Sequence, residues 1–154
     1  MKKACFFLLI AAVFSSCKKS GDDTAPSAEL LTSKKWRLSA DAYTDVAGGT
    51  ATTTNAYATL PACKRDDYLM FNADKSLTTD EGPTRCSTTL PQTLTGTWSI
   101  SADQAKLTSH TVGYSSFILH ADVVELSATA LHLRTVTNIY PATTRTEDFT
   151  YTAL

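Results

Sequence analysis

The chain has 154 residues, and its 14 Lys and Arg nearly balance 15 Asp and Glu, giving a formal net charge of −1. That length suits one domain with a real hydrophobic core, and the charge gives no basic footprint for nucleic acid. Thr supplies 26 positions while Gly and Pro supply only 6 and 5, which excludes collagen-like repeats and favours sheet, where β-branched side chains fit a pleated surface.

In chain order the first feature is a leader. Lys2 and Lys3 make a positive start, and Ala4 to Phe14 is an unbroken apolar run. A membrane-spanning helix needs about 20 residues, so this shorter run matches the apolar part of a signal peptide instead. Phe14-Ser15-Ser16-Cys17 follows and resembles the lipobox of bacterial lipoproteins. That resemblance implies cleavage before Cys17 and lipid attachment at Cys17. An ordinary secretory leader cut near Ser16 is the alternative. The expected organisation is a signal peptide over 1–16, a flexible polar tether over 17–26 and one domain over 27–154. Lys18, where many lipoproteins retained in the inner membrane have Asp, points to the outer membrane, at its periplasmic face or the cell surface.

Pro26 and Glu29 mark a short helical turn over 26–33. Lys35 to Ser39 alternates around Trp36 and Leu38 and predicts the first strand. Residues 40–61, with Gly48-Gly49 among Thr and Ala, read as a long loop with a short strand near Ala56 to Leu60. Further strands are predicted at Tyr68–Asn72, Leu77–Asp80, Thr93–Ile100, Ala105–Ser109, Ser116–Ala121, Val123–Leu126, Leu131–Thr137 and Glu147–Thr152. The clearest places Leu94, Gly96, Trp98 and Ile100 on one face and Thr93, Thr95, Thr97 and Ser99 on the other. Short turns without helical crossovers exclude a parallel sheet. An antiparallel meander of about eight strands closes into an up-and-down barrel, because closure removes the exposed edges. An immunoglobulin-like sandwich competes, but its Trp lies between two bridged cysteines, and here Trp98 follows both Cys63 and Cys86.

Several of these residues together carry a family resemblance. Leu30-Leu31 with Lys34-Lys35-Trp36, Cys63 before Asp66-Asp67, Phe71 to Asp74, Glu81-Gly82, Cys86, Pro91-Gln92 and Gly96-Thr97-Trp98 occur in that order. The set resembles small bacterial lipoproteins that carry a lipocalin-like domain, from about Leu30 to the C-terminus. The resemblance implies an antiparallel barrel with a cup, and it names no ligand.

Among the cysteines, Cys5 leaves with the leader and Cys17 takes lipid. Cys63 and Cys86 remain, and in an oxidising compartment they are expected to form a disulfide. A zinc site recruiting His is the alternative. His110, His120 and His132 stand in no zinc spacing, although a barrel can bring His120 near His132 across strands. Asp66, Asp67, Asp74, Asp80 and Glu81 cluster near one hairpin, without a calcium-loop pattern. Asp74 fits turn chemistry, and Asp66 and Asp67 are expected to pair with Lys64, Arg65 or a backbone amide. No Gly-x-Ser-x-Gly motif or phosphate loop occurs, so no catalytic residue, metal or cofactor is assigned.

What remains is an inward apolar face of Trp36, Leu38, Leu69, Phe71, Trp98, Ile100, Leu131, Leu133, Phe149 and Tyr151. A barrel of eight strands is either just filled by such side chains or holds one small ligand. Gly96 beside Trp98 either lets the indole pack flat or leaves room for a guest. The expected function is non-enzymatic: a lipid-anchored envelope protein binding a small, hydrophobic ligand through Trp36, Leu69, Phe71, Trp98, Leu133, Phe149 and Tyr151. The alternative is a side-chain-filled barrel acting through its outer surface. The expected partners are the membrane, through the lipid, and that ligand, with no nucleic acid.

Overall fold

A computed structural model describes residues 25–112 and 117–154. The leader, Cys17 and the tether up to Thr24 lie outside the described residues, as does Ser116. The chain runs as α1 (Ala25–Thr32), β1 (Lys35–Ala47), β2 (Thr50–Asn55), β3 (Tyr68–Phe71), β4 (Ser76–Asp80), β5 (Thr93–Ile100), β6 (Lys106–Val112), β7 (Phe117–Leu126), β8 (Ala130–Ile139) and β9 (Thr143–Ala153). All pairings are antiparallel. Strands β3 to β9 pair in sequence order, and β1 joins β3 on one edge to β9 on the other, closing an eight-stranded barrel. β2 is the extra strand. It takes the edge of β1 from Ala42 onward, where the short β3 no longer reaches.

Two expectations need correction here. The 40–61 segment is not a long loop: β1 continues to Ala47 and turns back into β2. Gly48 and Gly49 make the two-residue turn, both with positive φ (56° and 82°), the geometry that hairpin twist demands. The short strand expected near Ala56 to Leu60 is a single 3-10 turn at Tyr57–Thr59. The two strands expected around Ser116–Ala121 and Val123–Leu126 are one, β7, with a register shift between Val123 and Glu125.

One end of the barrel is closed. Leu31 of α1, Trp36, Phe71, Leu77, Trp98, Leu107, Ala121, Leu131 and Leu133 form a single buried cluster there. Phe71 and Trp98 meet edge to face at 5.5 Å. Both indoles also satisfy their N–H groups, Trp36 Nε1 donating to the Leu31 carbonyl and Trp98 Nε1 to that of Asn72, each at 2.9 Å. Fully burying one such large side chain contributes about 2–3 kcal/mol, so this floor carries much of the fold's stability. At the same end Asp74 Oδ1 accepts from the Ser76 amide (2.9 Å) and hydroxyl (2.6 Å), the turn chemistry its sequence suggests.

The wall is not laced over its full height. The β7–β8 ladder runs from Leu126/Leu131 to Asp122/Arg134 and stops. Among the described residues, no pair joins 117–121 to 135–139, although β6 holds the first stretch and β9 the second. A cleft of about 340 Å³ occupies this seam, bordered by Ile118 and Val136 outside and by Leu119, Glu147 and Phe149 inside.

Candidate functional site: the cup and its mouth

Above the floor the inward residues change character. A bulge in β1 between Leu38 and Ala40 shifts the alternation by one. Without it Ala40, Ala42 and Thr44 would follow Trp36 and Leu38 into the barrel. With it Asp41, Tyr43 and Asp45 pair with Phe149, Glu147 and Arg145 on the inner face. Strict alternation misses the three on β1, whereas Glu147 and Arg145 share the face of Phe149 and Tyr151 on unbroken β9. The Asp-x-Tyr-x-Asp spacing of 41–45 is the signal that could have found the three.

Arg145 grips Asp45 through two bonds, Nε to Oδ1 and Nη2 to Oδ2, both 2.8 Å, and lies 3.8 Å over the Tyr43 ring. That hydrogen bonding holds the Asp45 carboxyl below the usual carboxylate range. Deeper in, Asp41 and Glu147 face each other. Burial raises Asp41 despite a hydrogen bond from Glu147, and burial followed by the Asp41 charge raises Glu147. Two close carboxyls in a partly enclosed site retain a proton between them more readily than either would alone. Tyr151 lies beside them, its hydroxyl pushed upward by burial and then by both carboxylate charges.

Two cavities open at the mouth. One of about 240 Å³ is lined by Trp36, Leu38, Leu69 and Tyr151 below and by Leu60, Lys64, Asp67, Tyr68 and Thr79 above. The other, about 200 Å³, is lined by Leu90, Pro91, Gln92, Leu94 and Glu81, and shares Lys64, Asp67 and Thr79 with the first. Lys64 stands at the shared wall, 3.1 Å from Asp67 and 2.9 Å from Glu81. Burial draws the Lys64 ammonium down, but these two partners outweigh it and raise it. Burial keeps Asp67 above its usual range despite Lys64.

Cys63, next to Lys64, is bridged to Cys86. The disulfide pins the segment before β3 to the 81–92 loop, and so fixes both sides of the mouth. Asp66 Oδ2 accepts from the Thr84 amide at 2.9 Å, while Arg65 donates to the carbonyls of Leu60 and Ala58. Asp80 accepts from Gln92, Thr93 and the Gly82 amide. The acidic residues that look clustered in sequence therefore divide, because Asp74 lies at the closed end and the others at the mouth. His120 bonds Thr108, and His132 lies 2.8 Å from Asp148, so the two histidines have separate partners. Among the described residues no group of His, Cys, Asp or Glu is placed to hold a metal.

The expected ligand contacts fall into two tiers. Leu69 and Tyr151 border the 240 Å³ cavity, Trp36 underlies it while fully buried in the floor, and Phe149 borders the seam. Phe71, Trp98 and Leu133 are 1–3% exposed and sit in the packed floor. At Gly96 an added Cβ would lie 2.0 Å from the His110 carbonyl oxygen, so the missing side chain serves the close approach of β6.

A family model described as a lipocalin-like domain matches residues 32–133, from the end of α1 into β8. The comparison with curated proteins finds no match. The remaining strand, β9, completes the same architecture by pairing back onto β1. The chain belongs to the lipocalin-like domain family.

Proposed function

We propose that the protein is a non-enzymatic, lipid-anchored envelope protein whose barrel holds a small, largely apolar molecule. The observation that carries this is the 240 Å³ cavity against Trp36, Leu38, Leu69 and Tyr151, above a floor sealed by α1. The cavity's apolar wall with a few placed polar groups is the lining of a small-molecule site, while its volume, below the roughly 300 Å³ at which such sites usually begin, restricts it to a small guest. Lys2-Lys3, the apolar run and Cys17 support attachment to the outer membrane through lipid. Strand β1 enters the barrel at its closed end, beneath α1. One acyl chain holds a protein only marginally, so stable anchoring takes more than one on Cys17.

Native mass spectrometry of protein extracted from its own membranes tests the cup. A co-purified small molecule supports it, whereas a bare mass from every preparation opposes it. Cys17→Ser is expected to move the protein into the soluble fraction, and retention with membranes would overturn the anchor.

A barrel acting through its outer surface is the second reading. It is favoured by Ile118 and Val136, which face outward on either side of the seam and are 55% and 62% exposed. Ile118→Ser with Val136→Ser separates the two readings: binding to the cup survives this change, and a surface function does not.

A further inference from the structure

Strands β7 and β8 leave two hydrogen-bonding edges facing each other across the seam. Residues 117–121 pair with β6 and residues 135–139 with β9, and among the described residues no ladder joins the two stretches. In an antiparallel strand every second residue turns its N–H and C=O to the other side, so both stretches point main-chain donors and acceptors into the cleft. Folded proteins guard such edges with charges, with Pro or with a covering element. These stretches carry neither charge nor Pro: they read Phe-Ile-Leu-His-Ala over 117–121 and Thr-Val-Thr-Asn-Ile over 135–139. Exposed apolar side chains collect at the same place. Ile118 and Val136 flank the cleft outside, and Val112, Ile139 and Tyr140 stand exposed at the rim beside it.

Shape and charge narrow the occupant. Both edges are backed by β6 and β9, so the cleft admits only a segment without strand neighbours of its own. A wall strand of a second barrel is paired on both sides and does not fit. An alkyl chain would cover the free main-chain groups without bonding them, which costs their hydration, whereas a peptide backbone satisfies them. On its inner side the cleft meets Leu119, Phe149 and Glu147. Asp41, Asp45 and Glu147 share this height of the inner face with one cation, Arg145, which Asp45 already holds through two bonds. Even with one proton between Asp41 and Glu147, the surplus is negative.

We propose that the seam receives an extended peptide segment of a partner protein, which lies between β7 and β8 as an added strand. Its outward apolar side chains rest on Ile118 and Val136, and an inward Lys or Arg meets Glu147. Neighbouring strands lie about 4.8 Å apart, so the edges stand about 9.6 Å apart when the segment is seated. The Asp122–Arg134 pair holds the end of the seam nearer the floor. Because β7 and β8 are antiparallel, the segment runs parallel to one and antiparallel to the other. This site is separate from the mouth cavities and does not depend on a guest in the cup.

The test follows three labelled peptides of about ten residues by fluorescence anisotropy with the purified protein. The first alternates Val and Thr around a central Lys, the second has Glu in place of that Lys, and the third is the first methylated at every second amide nitrogen. The Lys peptide is expected to bind and to slow hydrogen exchange at 118–121 and 135–139 by about tenfold or more. The methylated copy, which has lost the donors for one edge, and the Glu peptide are each expected to bind about tenfold more weakly. Val136→Lys places a charge beside the edge at an exposed position, and is expected to weaken the Lys peptide to a similar degree. Glu147→Gln is expected to remove the preference for Lys over Glu. No binding by any peptide, equal binding of the methylated copy, or binding that leaves these amides exchanging freely overturns the added strand. Equal binding of the Lys and Glu peptides overturns the contact with Glu147. Slowed exchange there in concentrated protein without peptide, together with a doubled mass in sedimentation, gives the edges to a second copy and overturns the peptide partner.

Discussion

Trp36 joins three parts of the molecule: its ring belongs to the floor, underlies the cavity, and ties β1 to α1 through the Leu31 carbonyl. Trp36→Phe preserves much of the apolar area but leaves that carbonyl without its donor. A loss of about 2 kcal/mol is expected, measured by urea denaturation. At Gly96 the His110 carbonyl fills the space that a side chain would need. Gly96→Ala is expected to cost about 3 kcal/mol, because either β6 must move or the new methyl must clash. A larger residue at that position therefore probes the sheet, not the cavity. Glu147 makes a pH-dependent prediction. Its carboxyl is raised first by burial and then by Asp41. A group raised in the fold contributes stability that is present below its unfolded pKa and lost as pH rises through the folded one. Glu147→Gln imitates the protonated form, so it is expected to raise Tm at pH 7. The advantage should vanish by about pH 3, where the native side chain is protonated in both states. An equal Tm at pH 7 would contradict this account.

At the scale of elements, legibility followed local pattern. β5 could be read from sequence because eight residues alternate without interruption, and the structure places it at Thr93–Ile100. β1 could be read only as far as the bulge. The extra residue at Ser39 inverts the alternation, and the inward Asp41, Tyr43 and Asp45 were lost with it. The β1–β2 hairpin hid behind composition, since Thr-rich β2 is largely exposed and shows no apolar period, and the part of β1 it pairs with carries polar side chains inward. The disulfide was legible from the count of cysteines and the Lys64–Asp67 pair from adjacency, whereas the reach of Lys64 to Glu81 was not, because it depends on which loops the disulfide draws together. Cys63 and Cys86 are separated by 23 residues in sequence. Closing a loop of that length stabilises by about 3 kcal/mol in the chain-entropy model. Cys63→Ser with Cys86→Ser is expected to lower stability by that amount in chemical denaturation. It should also loosen the 81–92 loop, read as faster amide exchange there than in β8 and β9.

For the whole molecule, the barrel was legible because closure follows from many short antiparallel strands without helical crossovers. The unlaced seam between β7 and β8 was not, since both strands continue in sequence past the point where their pairing ends. It makes a direct prediction for hydrogen exchange. Amides of 118–121 and 135–139 that point into the seam should exchange orders of magnitude faster than those in the continuous β8–β9 ladder, whose opening needs more of the fold to unfold. Uniform protection around the barrel would mean that the wall is laced after all. A tube fastened over only part of its height has a fixed girth at the fastened end and an adjustable one at the other. Guests would then be sorted by how deeply they reach before meeting the rigid base, with wider latitude in breadth near the rim.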